Sequence, residues 1–205
     1  KPGPGRYREF LQFDADFVGT KNLQADAELC VLISEILEKC GLTKEDYTVK
    51  ISSRKFTEEL FKELKIQSSE QSLTILRALD KIDRLGWEEV KKLLSKGRKD
   101  SSGDVTKGAD LNENQIKILE TKIKEIKPNT SDVLEIIKIF ESYNFTNYKY
   151  DPSVIRGLEY YTGPIFEVNL NFAVKNSKDK IIQFGSIGGG GRYDNLINNF
   201  GNLDC

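Results

Sequence analysis

Apolar and polar positions alternate from Arg6 to Phe17. In a strand, Tyr7, Glu9, Leu11, Phe13, Ala15 and Phe17 share one face and Arg6, Arg8, Phe10, Gln12, Asp14 and Asp16 the other. The pattern predicts a strand over 6–19 whose second face is unusually charged, preceded by a turn at KPGPG. The period then lengthens. Ala25, Leu29, Leu32, Ile33, Ile36 and Leu37 fall at helical spacing over 24–40, closed by Gly41. YTVKI, residues 47–51, predicts a strand. From Arg54 to about Tyr143 the helical period returns over 55–65, 69–84, 86–96, 112–126 and 131–143. The last segment stripes Val133, Leu134, Ile136, Ile137 and Phe140 behind Ser131 and Asp132. GRKDSSGDVTKGAD, residues 97–110, has few apolar positions and predicts a flexible loop. Strand patterns resume at 145–150, 163–171 and 181–187, and IGGGGRYDNL leads from the last strand into a helix.

The order strand, helix, strand, five helices, strands predicts an α/β (α+β) sheet domain interrupted by an all-helical insertion. The expected division is 1–53 and 144–205 for the sheet domain and 54–143 for the insertion. A chain of 205 residues suits one domain, or one domain carrying an insertion.

Charge adds one local feature. The 31 basic and 32 acidic residues nearly cancel, which excludes a wholly basic nucleic-acid coat. Residues 51–108, however, hold 13 basic and 10 acidic residues, concentrated at Arg77, Lys81, Arg84, Lys91, Lys92, Lys96, Arg98 and Lys99. Either a solvated helical face or a phosphate-binding surface accounts for them.

Composition removes several chemistries. The chain has no His, so Ser–His, Cys–His and His–metal schemes are excluded within it. It has no Met, so it is expected to be a fragment, a processed product or a trimmed chain. No apolar run reaches the roughly 18 residues of a membrane span. Cys30, Cys40 and Cys205 form no C-x-x-C, which points to a reducing, cytoplasmic setting, and Cys30 is expected in the core.

Three clusters could carry chemistry: the charged face at Arg6, Arg8, Gln12, Asp14 and Asp16; RGLEYYTG at 156–163; and GGGGRYDNL at 188–196. Glycines at a strand end allow a ligand or another backbone to come close, although a plain loop or bulge reads equally well. Neither the P-loop pattern nor G-x-G-x-x-G with its acidic partner is present. Together the clusters suggest a pocket for an anion and a polar small molecule: arginines for phosphates, acids and tyrosines for the molecule, glycines for the floor.

The same segments resemble a known family. GRYREFLQFDADFVG resembles the second half of motif 2 of class II aminoacyl-tRNA synthetases, in the form typical of histidyl-tRNA synthetases. VIRGLEYYTGPIFEV and GSIGGGGRYDNL resemble that family's two histidine-specific motifs, and DKIDRLGWEEVKKLL resembles part of its insertion domain. The resemblance implies an antiparallel class II sheet with flanking helices. It also implies activation of L-histidine by ATP with Mg2+, transfer to tRNA(His), and a homodimeric whole enzyme. The attacking carboxylate is already ionised at neutral pH, so the absence of His is no obstacle.

Carried over by residue, Arg156 would contact the α-phosphate and the histidine carboxylate. Such a preorganised cation can supply about 3–4 kcal/mol to a transition state. Arg6 would reach the terminal phosphates of ATP and Gln12 would hold the amino acid's polar end. Asp16 and Tyr161 would grip the imidazole, with Tyr160 beside them. Gly189, Gly190, Gly191 and Tyr193 would form the floor and wall. Glu159 and Asn195 depart mildly from the family's Asp and Gly. The family's motif 1, leading motif 2 arginine, motif 3 and anticodon-binding domain have no counterpart in the chain, so these residues alone are expected not to aminoacylate. A non-catalytic paralogue kept as a regulator, and a general nucleic-acid-binding module, are the alternatives.

Overall fold

The computed structural model describes residues 8–99, 103–125, 127–155, 160–175, 179, 181–182 and 185–196. The first element is α1 (Leu23–Lys39). Asn22 caps it by accepting from the backbone N–H of Gln24 at 2.9 Å. At the other end Gly41, with φ +96°, lets Leu42 N–H reach back to the Leu37 carbonyl at 3.1 Å. Ala27, Cys30 and Ser34 form its buried stripe, so Cys30 is a core residue as expected.

Next come β1 (Tyr47–Ser53) and the helices α2 (Arg54–Glu63), α3 (Ser69–Leu79), α4 (Ile82–Leu85) and α5 (Trp87–Leu94). The single helix predicted over 69–84 is broken around Asp80. The loop predicted at 97–110 is instead an antiparallel hairpin of β2 (Gly97–Lys99) and β3 (Val105–Lys107). Two glycines explain this. A Cβ on Gly97 would lie 2.2 Å from the Thr106 carbonyl oxygen, and one on Gly108 would lie 2.1 Å from that of Ser95. Bare backbone lets the hairpin base close, a pairing that hydrophobic patterning does not register.

The helical stretch ends with α6 (Glu113–Ile123) and α7 (Ser131–Ser142). After it come β4 (Tyr148–Tyr150), β5 (Pro164–Leu170), β6 (Val174–Lys175), β7 (Ile181–Ile182) and β8 (Ser186–Gly191). The main sheet runs β4-β1-β5-β8. β1 pairs with β4 in parallel, while β1–β5 and β5–β8 are antiparallel. A parallel neighbour requires a crossover connection, and here α2 to α7 together supply it.

Two apolar clusters follow from this layout. One gathers α2, α3, α5 and α6 around Phe56, Leu60, Ile75, Leu76, Val90, Leu94 and Leu119. The other packs Val133, Ile136 and Phe140 of α7, with Ala27 and Cys30 of α1, onto Tyr47, Val49, Ile51, Phe166 and Val168 of the sheet. Each fully buried large apolar side chain contributes about 1.5–3 kcal/mol. α7 therefore belongs to the layer covering the sheet.

Three strand expectations are corrected. Residues 8–19, the described part of the predicted 6–19 strand, form no strand, and Leu11 is fully exposed. Alternation specifies which residues share a face, but a strand also needs an edge to pair with, and this segment pairs with none among the described residues. The predicted 181–187 strand is divided between β7 and β8, and the four glycines lie within β8 rather than beyond a strand end. The predicted 145–150 strand begins only at Tyr148, because Phe145 turns back into the core after Asn144, whose φ is +53°. The helix expected after IGGGGRYDNL lies outside the described residues.

Candidate functional site

Register sorts the sheet's two faces. Val49, Ile51, Phe166 and Val168 point to the helix layer, so their neighbours Lys50, Ser52, Ile165 and Glu167 point the other way. In β8, Gly188 pairs with Val168 and Gly190 with Phe166, while Gly189 pairs with Glu167 and Gly191 with Ile165.

The glycines thus have different roles. A Cβ on Gly190 would stand 2.6 Å from Cζ of Phe166, and one on Gly188 would stand 2.6 Å from Cδ1 of Ile33. These two make room for the protein's own core. Gly191 opens to the second face, where a Cβ would lie 3.0 Å from Cγ of Tyr161 and 2.9 Å from the Pro164 carbonyl oxygen. The Tyr161 ring packs edge-on against Tyr160 with centroids 4.5 Å apart, and Tyr160 is half exposed.

The strand ends at a corner. The Tyr193 phenol donates to Oδ1 of Asp16 at 2.5 Å. Partial burial and the hydrogen bond to the adjacent Asp16 carboxylate push that phenol up to about 12. Arg192 turns back toward α1. Its Nη2 meets Oδ2 of Asp26 at 2.5 Å and its Nε meets Oδ1 at 3.3 Å, a two-pronged pair with both side chains nearly buried. Burial works against the guanidinium's charge, but Asp26 and Asp194 more than offset it and hold its pKa above the usual range. Asp26 lies in the first turn of α1, where the helix end favours an acid. A cavity opens beside this corner between Phe17, Val18, Leu29, Phe166 and Tyr193.

Of the residues proposed from sequence, Asp16 and Tyr193 are bonded, and Tyr160, Tyr161 and Gly191 form a neighbouring group. Gln12 lies exposed on the 8–19 segment, and among the described residues no hydrogen bond joins it to the others. Arg6 and Arg156 lie outside the described residues. Gly189 sits mid-strand opposite Glu167. Arg192, Asp26, Thr162 and Asp194 join the site only in the folded chain. Arg192 stood in view within GGGGRYDNL, but nothing local in the sequence signals that a helix acid 166 positions away is its partner.

The basic residues of the insertion are partly neutralised. Lys91 pairs with Glu88 at 2.9 Å, Lys92 with Glu89 at 2.5 Å, and Arg98 with Glu89 at 3.3 Å. Arg84, Lys96 and Lys99 are exposed. No cluster of three or more acidic or thiol side chains suited to hold a metal occurs among the described residues. No described helix is long and apolar enough to cross a membrane.

Histidine–tRNA ligases from Rhizobium meliloti and Bartonella quintana are 43% and 44% identical over 98% of the chain. The chain spans less than half of each, 44% and 45% of their lengths. The crystal structure of histidyl-tRNA synthetase from Nostoc sp. PCC 7120 shares the fold, with a TM-score of 0.67 at 22% identity over 88% of this chain and 42% of that one. A Bacillus halodurans structure described as an ATP phosphoribosyltransferase regulatory subunit/histidyl-tRNA synthetase matches with a TM-score of 0.56 at 20% identity, over 89% of this chain and 46% of that one. The family model for histidyl-tRNA synthetase matches residues 1–204, so the chain belongs to the histidyl-tRNA synthetase family.

Proposed function

We propose that the chain is part of the catalytic domain of a histidine–tRNA ligase. Its substrates are L-histidine, ATP and tRNA(His), and the whole enzyme works in the cytoplasm as a homodimer. ATP arrives as its magnesium complex, so the metal comes with the substrate. The observation that carries this is convergence on one strand end: Tyr193 bonds Asp16, and Gly191, two residues earlier, packs on Tyr161, so three stretches far apart in sequence supply two adjacent contacts.

In the first step a histidine carboxylate oxygen bonds to the α-phosphorus, the bond to the bridging oxygen breaks, and pyrophosphate leaves. In the second, a terminal ribose hydroxyl of the tRNA attacks the activated carbonyl and AMP leaves. The chain's contribution is positioning and charge. Arg156 and Arg6 are assigned to the phosphates and the carboxylate, and Gln12 to the amino acid's polar end. Asp16 accepts an imidazole N–H and Tyr161 meets the other ring nitrogen, with Tyr160 beside them and Gly189, Gly191 and Tyr193 as floor and wall, while Gly190 gives its space to Phe166 in the core. A site that hydrogen-bonds its substrate can reject analogues lacking a partner by ~10⁴–10⁵.

Residues 1–53 and 144–205 are assigned to the catalytic sheet and 54–143 to an insertion facing tRNA, its last helix α7 returning the chain to the sheet by packing on it. The insertion's own apolar cluster supports a helical unit from Phe56 to Ile123.

The test is thermal unfolding of the chain with L-histidine, histidinol and L-lysine. Histidine is expected to raise the midpoint in a saturable way, histidinol less, and lysine not at all. Equal stabilisation by lysine would sink the assignment.

A further inference from the structure

Arg192 carries more of the site than its place in the motif suggests. A guanidinium has five N–H donors in a fixed fork. Five acceptors surround this one: Oδ1 and Oδ2 of Asp26, the carbonyl oxygens of Thr20 at 3.4 Å and Asn22 at 3.1 Å, and Oδ1 of Asp194 at 3.2 Å. No donor remains for a phosphate or a carboxylate. The same residue is fixed by its backbone. Its N–H donates to the Pro164 carbonyl at 2.9 Å, and its own carbonyl accepts from Thr162 N–H at 2.7 Å. Thr162 in turn donates its hydroxyl to Oδ2 of Asp194 at 3.0 Å. Gly163 leaves space for the stem, since a Cβ there would stand 3.1 Å from Cδ of Arg192.

Arg192 therefore ties three stretches together: its side chain holds the segment that follows Asp16 and the first turn of α1, and its main chain holds Thr162 in the turn that follows Tyr161. Tyr193, which bonds Asp16, is its immediate neighbour. We infer that Arg192 is a positioning residue: it makes no substrate contact, but sets the spacing of Asp16, Tyr161 and Tyr193 that the imidazole pocket needs. This rests on the function proposed above, and the test separates the two.

The Asp16–Tyr193 bond reports the spacing without any ligand. The 205-residue chain is prepared with 3-fluorotyrosine, which brings phenol ionisation to milder pH, and Tyr193 is identified in the ¹⁹F spectrum by its loss in Tyr193→Phe. Asp16→Asn is expected to lower the Tyr193 midpoint. Arg192→Lys, which keeps the charge but loses the fork, is expected to lower it as well. Adding Asp16→Asn to Arg192→Lys is then expected to change nothing further, a non-additive cycle. If Asp16→Asn shifts the midpoint equally with either residue at position 192, Arg192 is only a staple and the inference fails. Should Arg192→Lys not fold, Asp26→Asn takes its place under the same criterion.

A second arm uses equilibrium dialysis with labelled histidine and with ATP. Arg192→Lys is expected to weaken histidine at least tenfold and leave ATP unchanged. Unchanged histidine affinity beside a wild-type chain that binds it overturns the inference. Failure of the wild-type chain to bind histidine counts against the proposed function, and the tyrosine cycle still decides the role of Arg192.

Discussion

The Ser53 hydroxyl donates to Oδ2 of Asp132 at 2.7 Å in a wholly buried site. Ser53 ends β1 and caps α2, accepting from Lys55 N–H at 3.1 Å, while Asp132 sits in the first turn of α7 and accepts from Val133 N–H at 2.9 Å. The bond therefore joins the two ends of the helical crossover at the sheet. Only Lys55, at 3.7 Å, offers Asp132 a formal counter-charge among the described residues. Ser53→Ala leaves a buried carboxylate short of a partner and removes a cap. The expected loss is about 1–3 kcal/mol, measured by urea unfolding. Asp132→Asn together with Ser53→Ala should cost less than the sum of the two single changes; strict additivity would mean the bond has no energetic weight.

Asp151 sets an acid limit. Burial pushes its carboxyl up, but hydrogen bonds from Ser153 and the Lys50 ammonium at 3.0 Å more than offset that and hold it below the usual range. A carboxyl lowered in the folded state stabilises the fold above its unfolded pKa of roughly 3.9 and loses that contribution as pH falls through the folded value. Asp151→Asn should therefore lower stability at neutral pH and flatten its decline below about pH 4. Parallel pH–stability curves for wild type and variant would refute this.

The glycines of β8 should respond unequally to alanine. At Gly188 the obstacle is the mobile tip of Ile33, whereas at Gly191 it is the Pro164 backbone and the Tyr161 ring. Gly191→Ala should cost about 1–3 kcal/mol. At this chain length that is several degrees of Tm, taking about 2–4 °C per kcal/mol. Gly188→Ala should cost less. A larger drop for Gly188→Ala would show that Ile33 is locked in place.

On the insertion, ion pairing ranks the lysines. Lys96 and Lys99 are exposed, while Lys91 and Lys92 already face glutamates. If this surface meets tRNA phosphates, Lys96→Glu with Lys99→Glu should weaken tRNA binding and reduce its salt slope by about two contacts, roughly 0.9 per phosphate on a duplex. Reversing Lys91 and Lys92 should also lower Tm, because it sets glutamates beside Glu88 and Glu89. Loss of tRNA binding with an unchanged salt slope would argue against phosphate contact.

Local periodicity and chemistry in the sequence determined α1 with its Gly41 stop, most of the helices, β1, β5, the core position of Cys30, and the motifs that carry the resemblance. These depend on neighbours within a few residues, where helical and strand periods and capping groups act directly. Tertiary structure decided what depends on distant partners. A glycine run carries no alternation, so only the Phe166 and Val168 register shows that it is a strand. The 8–19 segment alternates well yet forms no strand, because pairing needs an edge as well as a pattern. In the sequence Arg192 reads as any motif arginine; in the fold five acceptors, four from residues 20–26 and one from Asp194, surround it. A charge in the sequence shows that a partner is needed, and only the folded chain determines which one it meets.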